Sequence, residues 1–180
     1  MTDRADLLRI IKDKAVVHAD VVLSSGQRAN WYIDLRRVTL DGSAAPIAGR
    51  VMLELTGDLD YEAVGGLTLG ADPVATAMMH AAAATGRHLD AFVVRKTEKE
   101  HGLQRRIEGP NVAGRRVLAV EDTSTTGNSV LTAVDALTEA GAKVVGVAVV
   151  VERGARPRVA GRGLLYRAAY ELADLGLDRG

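Results

Sequence analysis

Eight consecutive apolar residues, 144–151, stand between Lys143 and Glu152. Such a run is far short of the ~20 residues that span a bilayer, yet it has no polar face to give to water. It predicts a strand covered on both sides, as in a parallel sheet with helices above and below. The rest of the chain agrees. Residues 61–64, 90–94 and 116–120 read as further short strands, and helical stripes alternate with them. Ile47, Val51 and Leu55, with Ala48 and Met52, form one stripe that ends at Gly57. An Ala-rich helix opens at Asp72-Pro73, where the missing N–H of proline costs least. A third helix covers 129–140, with Val130, Val134 and Leu137 on one face and Gly141 as its C-cap. This alternation predicts an α/β fold, a mostly parallel sheet flanked by helices.

The first forty residues follow a different pattern. Leu7, Leu8, Ile11 and Ala15 recur at helical spacing behind the cap candidates Thr2 and Asp3. Val21-Val22-Leu23 and Trp31-Tyr32-Ile33 read as two extended segments around the turn Ser24-Ser25-Gly26-Gln27. With no repeat, low-complexity tract or linker, residues 1–180 read as one domain in which 1–40 form an N-terminal elaboration. Aromatic residues are only 3%, so the core must be aliphatic.

Charge and cysteine content exclude several functions. Lys and Arg total 23 and so do Asp and Glu, leaving no global field to capture nucleic acid or an anionic membrane. An anion site must be built from local charge and backbone N–H groups. There is no cysteine, hence no disulfide, thiol nucleophile or thiolate metal site. The start, Met1-Thr2-Asp3-Arg4-Ala5-Asp6, resembles neither a secretory signal nor a transit peptide, and a cytoplasmic protein is expected.

Chemistry concentrates where the strand at 116–120 ends. There Glu121-Asp122 meet Thr123-Ser124-Thr125-Thr126-Gly127-Asn128-Ser129, and a helix follows. Ligands of open α/β sheets bind at this end of the strands. Hydroxyls and the N–H groups of a helix start make an uncharged cradle for a phosphate monoester, and Gly127 permits close approach or positive φ. Two adjacent acids would repel phosphate, so they point to a neutral or cationic neighbour such as sugar hydroxyls or a developing positive charge. Ser, Thr and Asp also gather before helices simply as caps. The usual nucleotide loops, G-x-x-x-x-G-K-[ST] and G-x-G-x-x-G, do not occur.

Three more segments carry candidate residues. Arg95-Lys96-Thr97-Glu98-Lys99-Glu100-His101-Gly102 enters a stretch without period up to Gly114. It reads either as a solvated charge run or as a lid whose cations meet a departing polyanion. Gly66-Leu67-Thr68-Leu69-Gly70-Ala71-Asp72-Pro73 reads as a glycine-rich turn between strand and helix, with N–H groups available to an anion. Arg153 follows the buried strand, either as a surface residue or as a fork for a carboxylate.

The string 121–127 resembles the 5-phosphoribosyl 1-pyrophosphate (PRPP) motif of type I phosphoribosyltransferases. R-K-x-x-K-x-H-G at 95–102 is similar to the catalytic loop of the orotate phosphoribosyltransferases, and residues 23–34 resemble their N-terminal hood, which here is residues 1–40. The resemblance implies the type I phosphoribosyltransferase fold and transfer of phosphoribose to orotate, giving orotidine 5′-monophosphate in pyrimidine synthesis. It implies that Glu121 and Asp122 hold the ribose hydroxyls, that residues 123–129 hold the 5′-phosphate, and that Arg95, Lys96, Lys99 and His101 contact pyrophosphate. Lys99, His101 and Asp122 are the expected catalytic residues; Thr125 and Arg153 the expected contacts to orotate. Mg²⁺ is expected to arrive on PRPP without a direct protein ligand. A homodimer is implied, with loop 95–110 reaching the neighbouring site. Two departures stand out: Ser24 and Gly70 occupy places where many members have lysine, which shifts the burden of positive charge to Arg95, Lys96, Lys99 and Arg28. A transferase for another base, and a PRPP-sensing regulator of the same fold, are the alternatives.

Overall fold

A computed structural model describes residues 2–22, 28–96 and 106–177. Thr2 caps α1 (Asp3–Ile10), its hydroxyl oxygen accepting the Ala5 N–H, and the helix widens into one π turn over Ile11–Ala15. β1 (Val16–Val22) and β2 (Arg28–Ile33) form an antiparallel ribbon. After α2 (Arg36–Thr39) and α3 (Ala45–Leu55), the chain alternates through β3 (Ala63–Leu67), α4 (Ala71–Ala84), β4 (Asp90–Val94), β5 (Ile107–Glu108), β6 (Arg116–Ser124), α5 (Asn128–Glu139), β7 (Lys143–Glu152), α6 (Arg156–Ala160) and β8 (Tyr166–Glu171). The six-stranded sheet has the order β5-β4-β3-β6-β7-β8 and is parallel except for β5. This is the α/β architecture expected.

Both faces of the sheet are covered, as the apolar run in β7 requires. Leu118, Val120, Ala148 and Val150 face α1, α3 and α4, where Leu7, Met52 and Met78 are fully buried. Val117, Ala119, Val147 and Val149 face α5, through Val130, Val134 and Leu137. The N-terminal segment shares the first of these cores through Leu7, Ile11, Ile33 and Val38.

Two strands differ from the sequence-based boundaries. β3 begins two residues later than expected and continues through Leu67, so Gly65 and Gly66 lie inside it, and Gly66 is not in the turn expected from 66 onward. A Cβ at Gly65 would sit 2.1 Å from the Phe92 carbonyl oxygen, and one at Gly66 2.1 Å from that of Val120. These glycines permit close packing of the strand, not a bend. β6 continues four residues past Val120, because β7 pairs with it as far as Thr123↔Val151 and Ser124↔Glu152. Glu121 and Asp122 therefore project from a strand. Neither β8 nor α6 is expected from the sequence pattern.

Candidate active site

β3 lies between β4 and β6, so consecutive elements leave it in opposite directions across the sheet. Such a switch point leaves a crevice at the carboxyl ends of the strands. A cleft of about 310 Å³ opens there. Its walls are residues 67–70 after β3, Lys96 after β4, residues 121–123 of β6, Ser129 of α5, and Ile33, Asp34 and Arg36 of the N-terminal segment.

The two acids are held differently. Glu121 is 5% exposed, and one of its oxygens accepts the Asp122 N–H at 3.1 Å. Asp122 is half-buried and accepts the Thr123 N–H at 2.5 Å and the Thr123 hydroxyl at 3.3 Å. Burial, and then the charge of Asp122, push Glu121 up to about 8. At neutral pH the ligand-free pair thus keeps a proton on Glu121, as closely placed carboxylates do. Gly70 faces them: a Cβ there would lie 2.7 Å from an oxygen of each. A side chain at 70 would have to push these carboxylates aside, and glycine lets them stand close to the turn. The Thr68 N–H is taken by the Val94 carbonyl at 2.8 Å, so the offer of this turn to an anion rests on Leu69 and Gly70.

The turn before α5 favours a ligand over a cap. Gly127 has φ +76°, and α5 starts without a side-chain cap; the Asn128 N–H reaches the Thr126 hydroxyl only at 3.4 Å. Thr125, Thr126, Asn128 and Ser129 are exposed, so their polar groups are not consumed by capping. Ser124 differs: it is buried and its hydroxyl faces Tyr166 rather than the cleft.

Beside this turn, Arg153 leaves β7. Its N–H donates to the Ser124 carbonyl at 2.9 Å, which joins its turn to the end of β6. Glu152, 1% exposed, locks the turn from below. One of its oxygens accepts the N–H groups of Gly154 (2.6 Å) and Arg156 (3.2 Å), and the other accepts the Tyr166 hydroxyl. The Arg153 guanidinium lies 5.1 Å above the centre of the Trp31 ring. Its Nε is buried without a partner, and no carboxylate pairs with it among the described residues. Burial lowers its pKa from the ordinary value, but a guanidinium stays charged. A desolvated cation backed by an aromatic face calls for an anion.

The family model for the phosphoribosyl transferase domain matches residues 38–160. Orotate phosphoribosyltransferase of Streptomyces avermitilis is 67% identical over 97% of this chain and 98% of its own length. The chain belongs to the orotate phosphoribosyltransferase family. A crystal structure of the Mycobacterium tuberculosis member in complex with Fe(III) dicitrate matches with TM-score 0.89 and 59% identity, covering 97% of this chain and 99% of that one. Another, of the same enzyme in complex with PRPP, matches with TM-score 0.85 and 55% identity over 97% and 99%.

The family resemblance assigned roles to residues that the structure disposes unevenly. Lys96, Glu121, Asp122, Thr123 and Ser129 share the cleft. Arg95 is held at the root of the loop, its N–H on the Arg106 carbonyl at 2.7 Å and its guanidinium 3.4 Å from Glu108. Lys99, His101 and Ser24 lie outside the described residues, as does the side chain of Arg28. Sequence reasoning missed Arg36 as a cleft residue, and missed the contact of Trp31 with Arg153. The Asp34-Leu35-Arg36 sequence was the available signal for the first. The second had none, since residues 31 and 153 meet only through the fold.

Proposed function

We propose that this chain transfers the 5-phosphoribosyl group of PRPP to orotate, forming orotidine 5′-monophosphate and pyrophosphate. The carrying observation is the half-buried Arg153, whose Nε is buried without a partner and whose backbone joins the end of the strand that bears Glu121 and Asp122. A bidentate fork for the orotate carboxylate then lies next to a cleft suited to a sugar phosphate. In the reaction the orotate ring nitrogen forms a bond to the anomeric carbon as the carbon–oxygen bond to diphosphate breaks, and pyrophosphate leaves with that electron pair. Positive charge grows on the ribose ring, beside Glu121 and Asp122; negative charge grows on the leaving group, toward Lys96 and the loop cations. Thr125, Thr126 and the N–H groups at the start of α5 suit the 5′-phosphate. Thr125 also borders the turn of Arg153, since a Cβ at Gly154 would meet its carbonyl at 3.2 Å.

The donor set also suits Mg²⁺ carried by PRPP. Carboxylate and hydroxyl oxygens of Asp122, Thr123 and Ser129 line the cleft, and a hard cation prefers such oxygens together with phosphate and water. Bound there, Mg²⁺ would neutralise charge on the diphosphate. Among the described residues no helix is long and apolar enough to cross a membrane. A cytoplasmic homodimer acting in pyrimidine synthesis, its 95–110 loop completing the neighbouring site, belongs to the same proposal, as does its organisation as one domain.

The decisive assay is loss of orotate absorbance on addition of PRPP and Mg²⁺; no loss, with orotate and PRPP both bound, would overturn the proposal. Arg153→Lys tests the specificity site. Lysine keeps the charge and loses the planar fork and the stacking on Trp31. The expected result is a KM for orotate raised about tenfold, with the KM for PRPP unchanged.

A further inference from the structure

The cleft holds a cation to which the roles above assign nothing. Among its described lining residues, Asp34, Glu121 and Asp122 are acidic, and only Arg36 and Lys96 are cationic. Gly70 contributes no side chain where many members have lysine. A diphosphate entering here needs more positive charge than Lys96 provides.

Arg36 is placed and prepared to supply it. It is the first residue of α2, and it reaches the cleft from the N-terminal segment. Asp34 fixes its stem: one carboxylate oxygen accepts the Arg36 backbone N–H at 3.2 Å and its Nε at 2.9 Å. That engagement uses the inner edge of the guanidinium only. The two terminal amino groups have no acceptor among the described residues, and half of the side chain is exposed. The hydrogen bond it donates to Asp34, and to a lesser degree the charge of Asp122, strengthen its hold on its proton. An arginine pre-oriented by one acid, with both terminal N–H pairs open, is a fork for two phosphate oxygens.

We propose that Arg36 grips the diphosphate of PRPP, and the released pyrophosphate, from the N-terminal side of the cleft, with Asp34 as its positioning residue. The assignment rests on the phosphoribosyl transfer proposed above. It separates the ends of the donor: residues 125–129 take the 5′-phosphate, whereas Arg36 takes the other end.

The test compares Arg36→Ala and Arg36→Lys with the unmodified protein, using pyrophosphate and ribose 5-phosphate as separate probes in calorimetric titrations. Arg36→Ala should weaken pyrophosphate binding about tenfold, as loss of a charge-assisted contact on a half-exposed side chain does. It should leave ribose 5-phosphate binding within twofold and raise the KM for PRPP but not for orotate. Arg36→Lys should restore part of the pyrophosphate affinity. Equal weakening of both probes would make Arg36 a structural residue of the hood, and unchanged pyrophosphate binding would remove it from the site; either overturns the inference while leaving the transferase reading intact. Absence of orotate turnover in the unmodified protein would instead overturn both.

Discussion

Lys99→Ala is expected to lower kcat by about two to three orders of magnitude while changing the Kd for PRPP less than tenfold. The diphosphate is already highly charged when bound, and Lys96, with Arg36 as inferred above, meets it in the cleft. The bridging oxygen, by contrast, becomes anionic only as the carbon–oxygen bond breaks, and a cation delivered then acts on the transition state more than on the ground state. The sequence provides one in a segment flanked by Arg95 and Gly102. Steady-state kcat, with PRPP affinity by titration, checks the split; an unchanged kcat would remove Lys99 from the mechanism. The same variant tests where the loop acts. Mixed with Asp122→Asn, it should regain roughly a quarter of the original activity if loops serve neighbouring subunits, because one site of each hybrid dimer is then intact. No recovery would mean that each chain completes its own site.

What the sequence could reveal divides along the range of the interactions involved. β7 and the helices over 45–55 and 128–139 were legible because their apolar spacing is set by local geometry. The acidic and hydroxyl string was legible because its residues act together while adjacent in sequence. The end of β3 differs for another reason: Gly66 looks like the start of a turn until Val120, brought against it by sheet pairing as Phe92 is against Gly65, explains why no side chain fits. Arg36 and Trp31 were hidden for the same reason. Each matters through a partner structure, the cleft of β3 and β6 or the end of β7, that only tertiary packing brings near. Even Gly70, noticed as a missing lysine, shows its surroundings only when Glu121 and Asp122 are seen to face it.

Glu121→Gln should make the ligand-free protein more stable and the enzyme much less active, and both effects should depend on pH. Burial, with the charge of Asp122, raises the folded-state pKa of Glu121 to about 8 from its ordinary 4.5. Below about pH 4.5 folded and unfolded chains both hold this proton, so the favourable neutral form is fully present. As pH rises toward 8 the unfolded chain releases the proton and the folded one retains it, so native stability declines across that window; above it, the folded state carries a buried charge. Glutamine is neutral throughout. Its advantage should be small at pH 4.5 and grow to about 4 kcal/mol by pH 8, a Tm difference of roughly 8–16 °C. Activity should run the other way. A glutamine cannot stabilise positive charge on the ribose ring, and kcat/KM should fall about a hundredfold. In the unmodified enzyme, kcat/KM should climb with pH toward 8 as Glu121 ionises, and that limb should vanish in the variant. Thermal melts from pH 4.5 to 8.5 and kcat/KM profiles over the same range measure both. A Tm gap that shrinks as pH rises would mean that Glu121 is already ionised in the free protein, and the acid pair would then carry its full double charge before substrate arrives.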